Sequence, residues 1–104
     1  MSNMNELMRQ AARMQRRIQE IHEEMKKKEW TAKVAGDKVS CTVNGERKIS
    51  AIDVDPEFFK GEEREVVCDS IAAAINAAQE MAEKEIEAAV GKATGGLKIP
   101  GLTG

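Results

Sequence analysis

Hydrophobic residues in the first quarter of the chain recur at alternating intervals of three and four positions. The series, widened by Met8, is Met4, Leu7, Ala11, Met14, Ile18, Ile21 and Met25. This heptad spacing predicts one long helix over residues 1–28, because it places these side chains on a single face. About 25 residues at 1.5 Å each give a helix of about 38 Å, longer than a domain of this size is wide. We therefore expect part of the helix to project.

The apolar face of this first helix has two alternative partners, the sheet of the same chain or the same face of a second copy. A strict seven-residue repeat favours the second copy, since packing on a single core is typical of a broader 3.6-residue period. The predicted dimer seam consists of Met4, Leu7, Ala11, Met14, Ile18 and Ile21.

Residues 30–54 change to an alternation of apolar and polar positions, which is typical of strands. Gly36-Asp37 separates the first two runs and Asn44-Gly45 the last two. Asn-Gly favours a two-residue hairpin turn with positive φ at both positions. The pattern predicts a three-stranded antiparallel meander.

A second long helix is predicted over residues 62–91, where apolar positions recur with a helical period. Asp55-Pro56, just before it, predicts a cap and one short helical turn. Gly91 is predicted to end the long helix. The Gly/Pro tail, residues 92–104, keeps three large aliphatic residues, so we expect it to dock in part. The chain is therefore predicted to be a single α+β domain over residues 1–104.

Composition and charge add two points to this picture. Of the 104 residues 41% are hydrophobic but only 3% aromatic, so the core must be thin, and a second copy would help to complete it. The formal net charge of −2 divides into +3 on residues 1–28, −1 on residues 29–55 and −4 on residues 56–104. Because binding follows local patches, a basic helix on an acidic body can still bind a polyanion.

Four arginines of the first helix form a poorly neutralised row. In the heptad that begins at Met4, three of them point away from the apolar face and the fourth flanks it. Arginine binds phosphate bidentately, so the row predicts a polyanion-binding strip, with an ordinary solvated helix face as the alternative. Too few aromatics are present for base stacking, which favours duplex DNA held by its phosphates. The candidate DNA contacts are Arg9, Arg13, Arg16, Arg17, Lys92 and Lys98.

The sequence contains no catalytic or metal-binding pattern. His22 is the only imidazole, and Cys41 and Cys68 are too isolated for a zinc site, so both cysteines are predicted to be reduced core residues. Asp53 and Asp55 lack further oxygen ligands for a hard cation. We expect no enzyme activity, no cofactor, no metal and no small-molecule substrate.

The longest uninterrupted apolar run has five residues, far fewer than a spanning helix needs. The N-terminus has no charged start followed by an apolar stretch, so it does not look like a secretory signal. We expect a cytoplasmic protein that does not enter a membrane.

Four segments together resemble the bacterial YbaB/EbfC family of nucleoid-associated proteins. They are Val-Ser-Cys-Thr-Val-Asn-Gly (39–45), Ile-Asp-Val-Asp-Pro-Glu (52–57), Ala-Ala-Ile-Asn-Ala-Ala (73–78) and the ending Thr-Gly-Gly-Leu-Lys-Ile-Pro-Gly-Leu (94–102). The resemblance implies a tweezer-like homodimer with its sheets joined at the centre and its helices as arms. It also implies binding to DNA in the nucleoid and a role in gene regulation. One departure is the first hairpin, where only Gly36 matches the family's usual glycine-rich run.

Two functions compete at this point. The first is a non-enzymatic homodimer that binds duplex DNA. The second is a homodimeric adaptor that binds another protein through its helical arms and C-terminal tail. Removing the arginine row distinguishes them, because only the first function requires it.

Overall fold

The chain forms a long helix, a meander of three strands, a short helix and a second long helix. The structure, a computed structural model, describes residues 2–95. In chain order the elements are α1 (Ser2–Lys26), β1 (Glu29–Val34), β2 (Val39–Asn44), β3 (Ile49–Val54), α2 (Pro56–Gly61) and α3 (Arg64–Ala93). This confirms the predicted α+β architecture. Within residues 2–95 no helix has the length and apolar character that crossing a membrane requires.

One face of the sheet packs against α3. The strands pair antiparallel in the order β1-β2-β3, and α3 lies mainly across β1 and β2. The side chains buried between the two layers are Trp30, Ala32, Val39, Cys41 and Val43 from the sheet, and Ala74, Ala78 and Ala82 from the helix. Because alanine carries only a methyl group, the helix backbone approaches the sheet closely and the core is thin, as the composition predicted.

The edge strand β3 keeps its apolar side chains partly uncovered. Ile49 pairs with Val43 and Ile52 pairs with Cys41, so both isoleucines point to the buried face of the sheet. A β-bulge places Ser50 as an extra residue, which explains how side chains three apart share a face. Since α3 does not extend over this strand, Ile49 is 45% exposed and Ile52 is 43% exposed.

The second half of α1 packs into the core of its own chain. Ile18, Ile21 and Met25 are buried in the same cluster as Ile86 and Val90 of α3. The partner of this half of the stripe is therefore α3.

The two long helices run antiparallel. Lys28 and Glu85 form an ion pair of 3.8 Å, and the groove that begins there continues between the helices to Arg17 and Ala93. At 1.5 Å per residue, α1 reaches about 39 Å to one side of this ion pair and α3 about 32 Å to the other. Together these lengths account for the longest dimension of the molecule, 72 Å. The start of α1 therefore projects beyond the end of α3, and residues 3–13 are all exposed.

The second hairpin differs from the predicted two-residue turn. The amide of Asn44 donates to the carbonyl of Lys48 (2.9 Å), and the amide of Arg47 donates to the carbonyl of Asn44 (2.9 Å). The loop therefore has three residues, and positive φ occurs at Arg47 (64°). The Asn44 side chain accepts bonds from the amides of Glu46 and Lys48, which stabilises this longer loop.

Gly45 is required for a reason other than turn conformation. A Cβ at this position would lie 1.8 Å from the carbonyl oxygen of Met25 and 2.7 Å from the amide nitrogen of Lys26. The absence of a side chain thus lets the backbone at the end of α1 lie directly on the hairpin.

The first hairpin contains three consecutive residues with positive φ, Ala35 (53°), Gly36 (63°) and Asp37 (66°). A left-handed conformation costs a residue with a Cβ about 1–2 kcal/mol. The backbone is therefore strained at Ala35 and Asp37, and glycine at these two positions would remove the strain.

The short helix α2 begins as predicted. The Asp55 carboxylate accepts a hydrogen bond from the Phe58 amide (3.1 Å), and Pro56 is the first helical residue.

The predicted end of the second long helix is wrong. The helix α3 passes through Gly91 and continues to Ala93. It ends at Thr94 and Gly95, and Gly95 has the left-handed φ of 63° that is typical of a helix C-terminus. Glycine in a helix is tolerated where the flanking turns pack, and the neighbouring Val90 is buried here.

Candidate nucleic-acid interface

The exposed start of α1, residues 3–13, forms a projection that we call the α1 arm. Arg9 lies on the arm with its side chain 73% exposed, and its ion pair with Glu6 is long, 3.9 Å. Exposed pairs of this kind contribute about 0–1 kcal/mol, so Arg9 stays available to another anion.

Two further arginines lack a neutralising partner. Arg13 lies at the end of the arm and Arg16 one turn further along, and both are exposed. Within residues 2–95 neither has an acidic side chain within 4.0 Å. They are the parts of the predicted row that are most open to phosphate.

Arg17 differs from the rest of the row. Its guanidinium lies 3.2 Å from a carboxylate oxygen of Glu20 and 3.5 Å from one of Glu24. Its charge is thus partly neutralised at the base of the arm, and a phosphate would have to compete with two carboxylates.

Of the two candidate lysines, only Lys92 lies within the described residues. Lys92, in the last turn of α3, is exposed and lines the same groove as Arg17, so the fold brings these two residues together. Lys98 lies outside the described residues.

The outer face of α3 carries the opposite charge. Glu80, Glu83 and Glu87 are all exposed, and Lys84 pairs with Glu80 at 3.0 Å. A polyanion is repelled by this face of α3.

The predicted dimer seam divides into two parts. Met4 and Leu7 are 71% and 65% exposed, Ala11 is exposed and Met14 is half-buried. The remaining two members, Ile18 and Ile21, are already buried by their own chain. The second part packs within its own chain, mainly against α3, whereas the alternative considered from sequence was packing on the sheet. A seam along the first part stays a prediction.

The residues examined for chemistry are not brought together. Cys41 is buried, and burial raises the pKa of its thiol. Cys68 is exposed, so its predicted burial is wrong: it follows the buried Val67 and lines an open pocket with Phe59 and Ile71. His22 is exposed on α1, and residues 2–95 contain no cluster of three side chains of the types that ligate metals.

Fold and charge together define a small α+β protein with an exposed basic helix on an acidic body. Residues 1–97 match the sequence model of the YbaB/EbfC DNA-binding family. The chain belongs to this family, which confirms the resemblance in its motifs.

Individual relatives extend over nearly the whole chain. A nucleoid-associated protein of Clostridium acetobutylicum is 41% identical over 100 residues, which cover 96% of this chain and 89% of that protein. A nucleoid-associated protein of Bartonella tribocorum is 40% identical over 100 residues, covering 96% of this chain and 94% of that protein. The crystal structure of an uncharacterized protein from Helicobacter pylori is similar with a TM-score of 0.61 and 20% identity, over 72% of this chain and 87% of that one. This last similarity supports the fold alone.

Proposed function

We propose that the protein binds duplex DNA as a homodimer, mainly through phosphate contacts, and that it takes part in nucleoid organisation and gene regulation. The observation that carries this proposal is the pair Arg13 and Arg16, exposed on a projecting helix without an acidic partner among residues 2–95. The names of the curated relatives, nucleoid-associated proteins, support the same function and a location in the nucleoid.

The chemistry favours backbone contacts over base recognition. A guanidinium binds a phosphate with two parallel hydrogen bonds, and it does so on any sequence. The arm has no aromatic residue that could stack on a base. Binding should therefore depend strongly on salt and weakly on DNA sequence.

The edge strand supports dimer formation. Ile49 and Ile52 are half-exposed on the face of the sheet that is otherwise buried, and β3 presents an unpaired backbone edge. A second copy placed there would cover both isoleucines and join the two sheets at the centre. Each α1 arm would then project from a shared body.

The proposed DNA contacts are tested by a salt titration. If Arg13 and Arg16 of each protomer neutralise about four phosphates per dimer, log K should fall with log salt at a slope of about −3.6. The variant Arg13→Gln/Arg16→Gln should bind more weakly and show a clearly smaller slope, because these two residues supply most of the contacts. The matched control Lys60→Gln/Lys84→Gln removes the same charge from α2 and α3, and it should keep the slope of the wild type. Equal slopes for all three proteins would contradict the proposed contacts.

A variant without the arginine row distinguishes DNA binding from the alternative function, a homodimeric adaptor that binds another protein. A folded dimer in which Arg9, Arg13, Arg16 and Arg17 are all replaced by Gln should lose DNA binding if the arginine row is the site. Full retention of affinity would favour a function in protein binding, or a DNA site elsewhere on the surface.

The dimer surface is tested by sedimentation. Ile52→Glu places a charge on the uncovered face of β3 and should convert the dimer to a monomer at micromolar concentration. Met4→Glu places the same charge on the α1 arm and should leave the dimer intact. The reverse result would place the interface along the predicted α1 seam.

A further inference from the structure

The α1 arm carries an apolar stripe that residues 2–95 leave uncovered. Met4, Leu7 and Met8 are 71%, 65% and 66% exposed, and Ala11 continues the stripe towards the core. Three neighbouring large side chains in water form a contiguous apolar surface, and such a surface on a small protein marks a binding site. Its occupant can be a second α1 arm, another protein, or the end of the same chain.

We propose that the C-terminal segment, residues 96–104, folds back along the α1 arm and covers this apolar stripe. The inference concerns the packing of the arm and does not depend on DNA binding.

The end of α3 lies where such a segment would have to begin. Ala93 packs against the same core as Met14, and it lines one groove together with Arg17. The left-handed φ of Gly95 ends the helix at this point, so the chain leaves α3 beside the base of the arm.

The length of the segment matches the distance to be covered. From Met14 to Met4 the stripe rises about 15 Å along α1, at 1.5 Å per residue. Nine residues in an extended conformation reach about 30 Å, so the segment can run the length of the arm with residues to spare.

The composition of the segment fits the same surface. It contains Leu97, Ile99 and Leu102, and it contains no acidic residue. These side chains can be buried against the stripe, which removes apolar area from water on both partners.

Charge disfavours a second α1 arm as the occupant of the stripe. Residues 2–17 of α1 contain four arginines and one glutamate, so two arms packed side by side would bring two strongly basic helices together. The C-terminal segment adds only Lys98. Packed on the stripe, it would leave the arginines open on the opposite side of the arm.

The first test is hydrogen exchange in the full-length chain. Replacing Leu97, Ile99 and Leu102 with Ser should raise the exchange rates of the amides of residues 7–13 about tenfold, because the arm loses its cover, while residues 74–90 stay unchanged. The control Lys98→Ser/Thr103→Ser changes polar positions of the same segment and should leave the arm as in the wild type. Equal rates in all three proteins would overturn the proposal, whatever the affinity for DNA.

The second test identifies which chain supplies the cover. In a Cys68→Ser background, Gln10→Cys and Lys98→Cys place one thiol beside the stripe and one on the segment, while the buried Cys41 is shielded from oxidant. Light and heavy isotope-labelled proteins are mixed, allowed to exchange subunits, oxidised and digested. Cross-linked peptide pairs between positions 10 and 98 that are only light–light or heavy–heavy support the proposal. Mixed pairs, pairs between two copies of position 10, or no cross-link would overturn it.

Discussion

The two halves of α1 have the same hydrophobic pattern but different surroundings. In the second half Ile18, Ile21 and Met25 are buried against α3, whereas in the first half Met4 and Leu7 are mostly exposed. The heptad spacing is continuous across both. The difference arises because α3 runs antiparallel to α1 and ends at Ala93, beside the middle of α1. A periodic stripe thus defines a face, and the neighbouring element decides how much of that face is covered.

The charges of the two halves follow the same division. In the second half Arg17 and Lys26 pair with Glu20 and Glu23, at 3.2 Å and 3.1 Å. In the first half Arg13 has no acidic partner within 4.0 Å among residues 2–95. Most charges of the packed half are therefore paired, while the projecting half carries a net positive charge.

Among substitutions that test the difference between the two halves of α1, Gly45→Ala is expected to have the largest effect on stability. The new Cβ would overlap the carbonyl oxygen of Met25, so the end of α1 must move off the hairpin. We expect a loss of about 4 kcal/mol in the free energy of unfolding, at the upper end of single substitutions. Urea denaturation measures it, and hydrogen exchange should show residues 18–25 becoming as labile as the α1 arm.

Gly91→Ala is the matched control for this substitution. A Cβ at Gly91 meets no atom within 4 Å, and the residue is helical, so alanine should stabilise the protein by about 0.5–1 kcal/mol. Equal changes in stability for both substitutions would contradict the view that close packing at Gly45 fixes the second half of α1 on the hairpin.

The next effect compares one buried and one exposed position of the same stripe. Ile21 is 3% exposed, so Ile21→Ala should cost about 3 kcal/mol through lost burial and the cavity left behind. Leu7 is 65% exposed and lies under the proposed C-terminal cover, so Leu7→Ala should cost about 1–2 kcal/mol, less than Ile21→Ala. Urea midpoints of the two variants measure the difference. Similar losses would mean that the arm is covered as thoroughly as the core.

The smallest effect concerns Glu85, which ties the end of α1 to α3. Its carboxylate accepts a hydrogen bond from the indole of Trp30 and pairs with Lys28. Glu85→Ala leaves the indole donor without its acceptor and should cost about 1–2 kcal/mol. Glu80→Ala removes only an exposed pair with Lys84 and should change stability by less than about 0.5 kcal/mol. Thermal denaturation of both variants tests this; an equal effect would show that the Trp30 contact adds nothing.

Several parts of the fold could be predicted because their signals are local. The order of helices and strands follows from periodicity, and the Asp55 cap follows from the Asp-Pro pair. Three predictions failed. Gly91 remains helical beside the buried Val90, and Cys68 is exposed. The Asn44 side chain accepts bonds from amides two and four residues further on, and this local contact stabilises a three-residue loop in place of a two-residue turn.

The candidate site, too, could be predicted from the sequence only in part. The arginine row was visible in the sequence, because helical spacing fixes which face each residue takes. Its division into a paired Arg17 and the unpaired Arg13 and Arg16 required side-chain positions. The uncovered face of β3 was missed, since Ile49 and Ile52 lie on the buried side of the sheet and only the placement of α3 leaves them exposed.

The sequence by itself determined the elements, their order, the basic face of the first helix and the family. These depend on residues a few positions apart, whose relative placement the helix and strand geometry dictates. The tertiary structure decided where α1 stops packing and becomes an arm, why Gly45 must lack a side chain, and which apolar residues stay uncovered. Those outcomes depend on where α3 lies relative to the sheet and α1, and a periodic pattern specifies a face without specifying the element that packs on it.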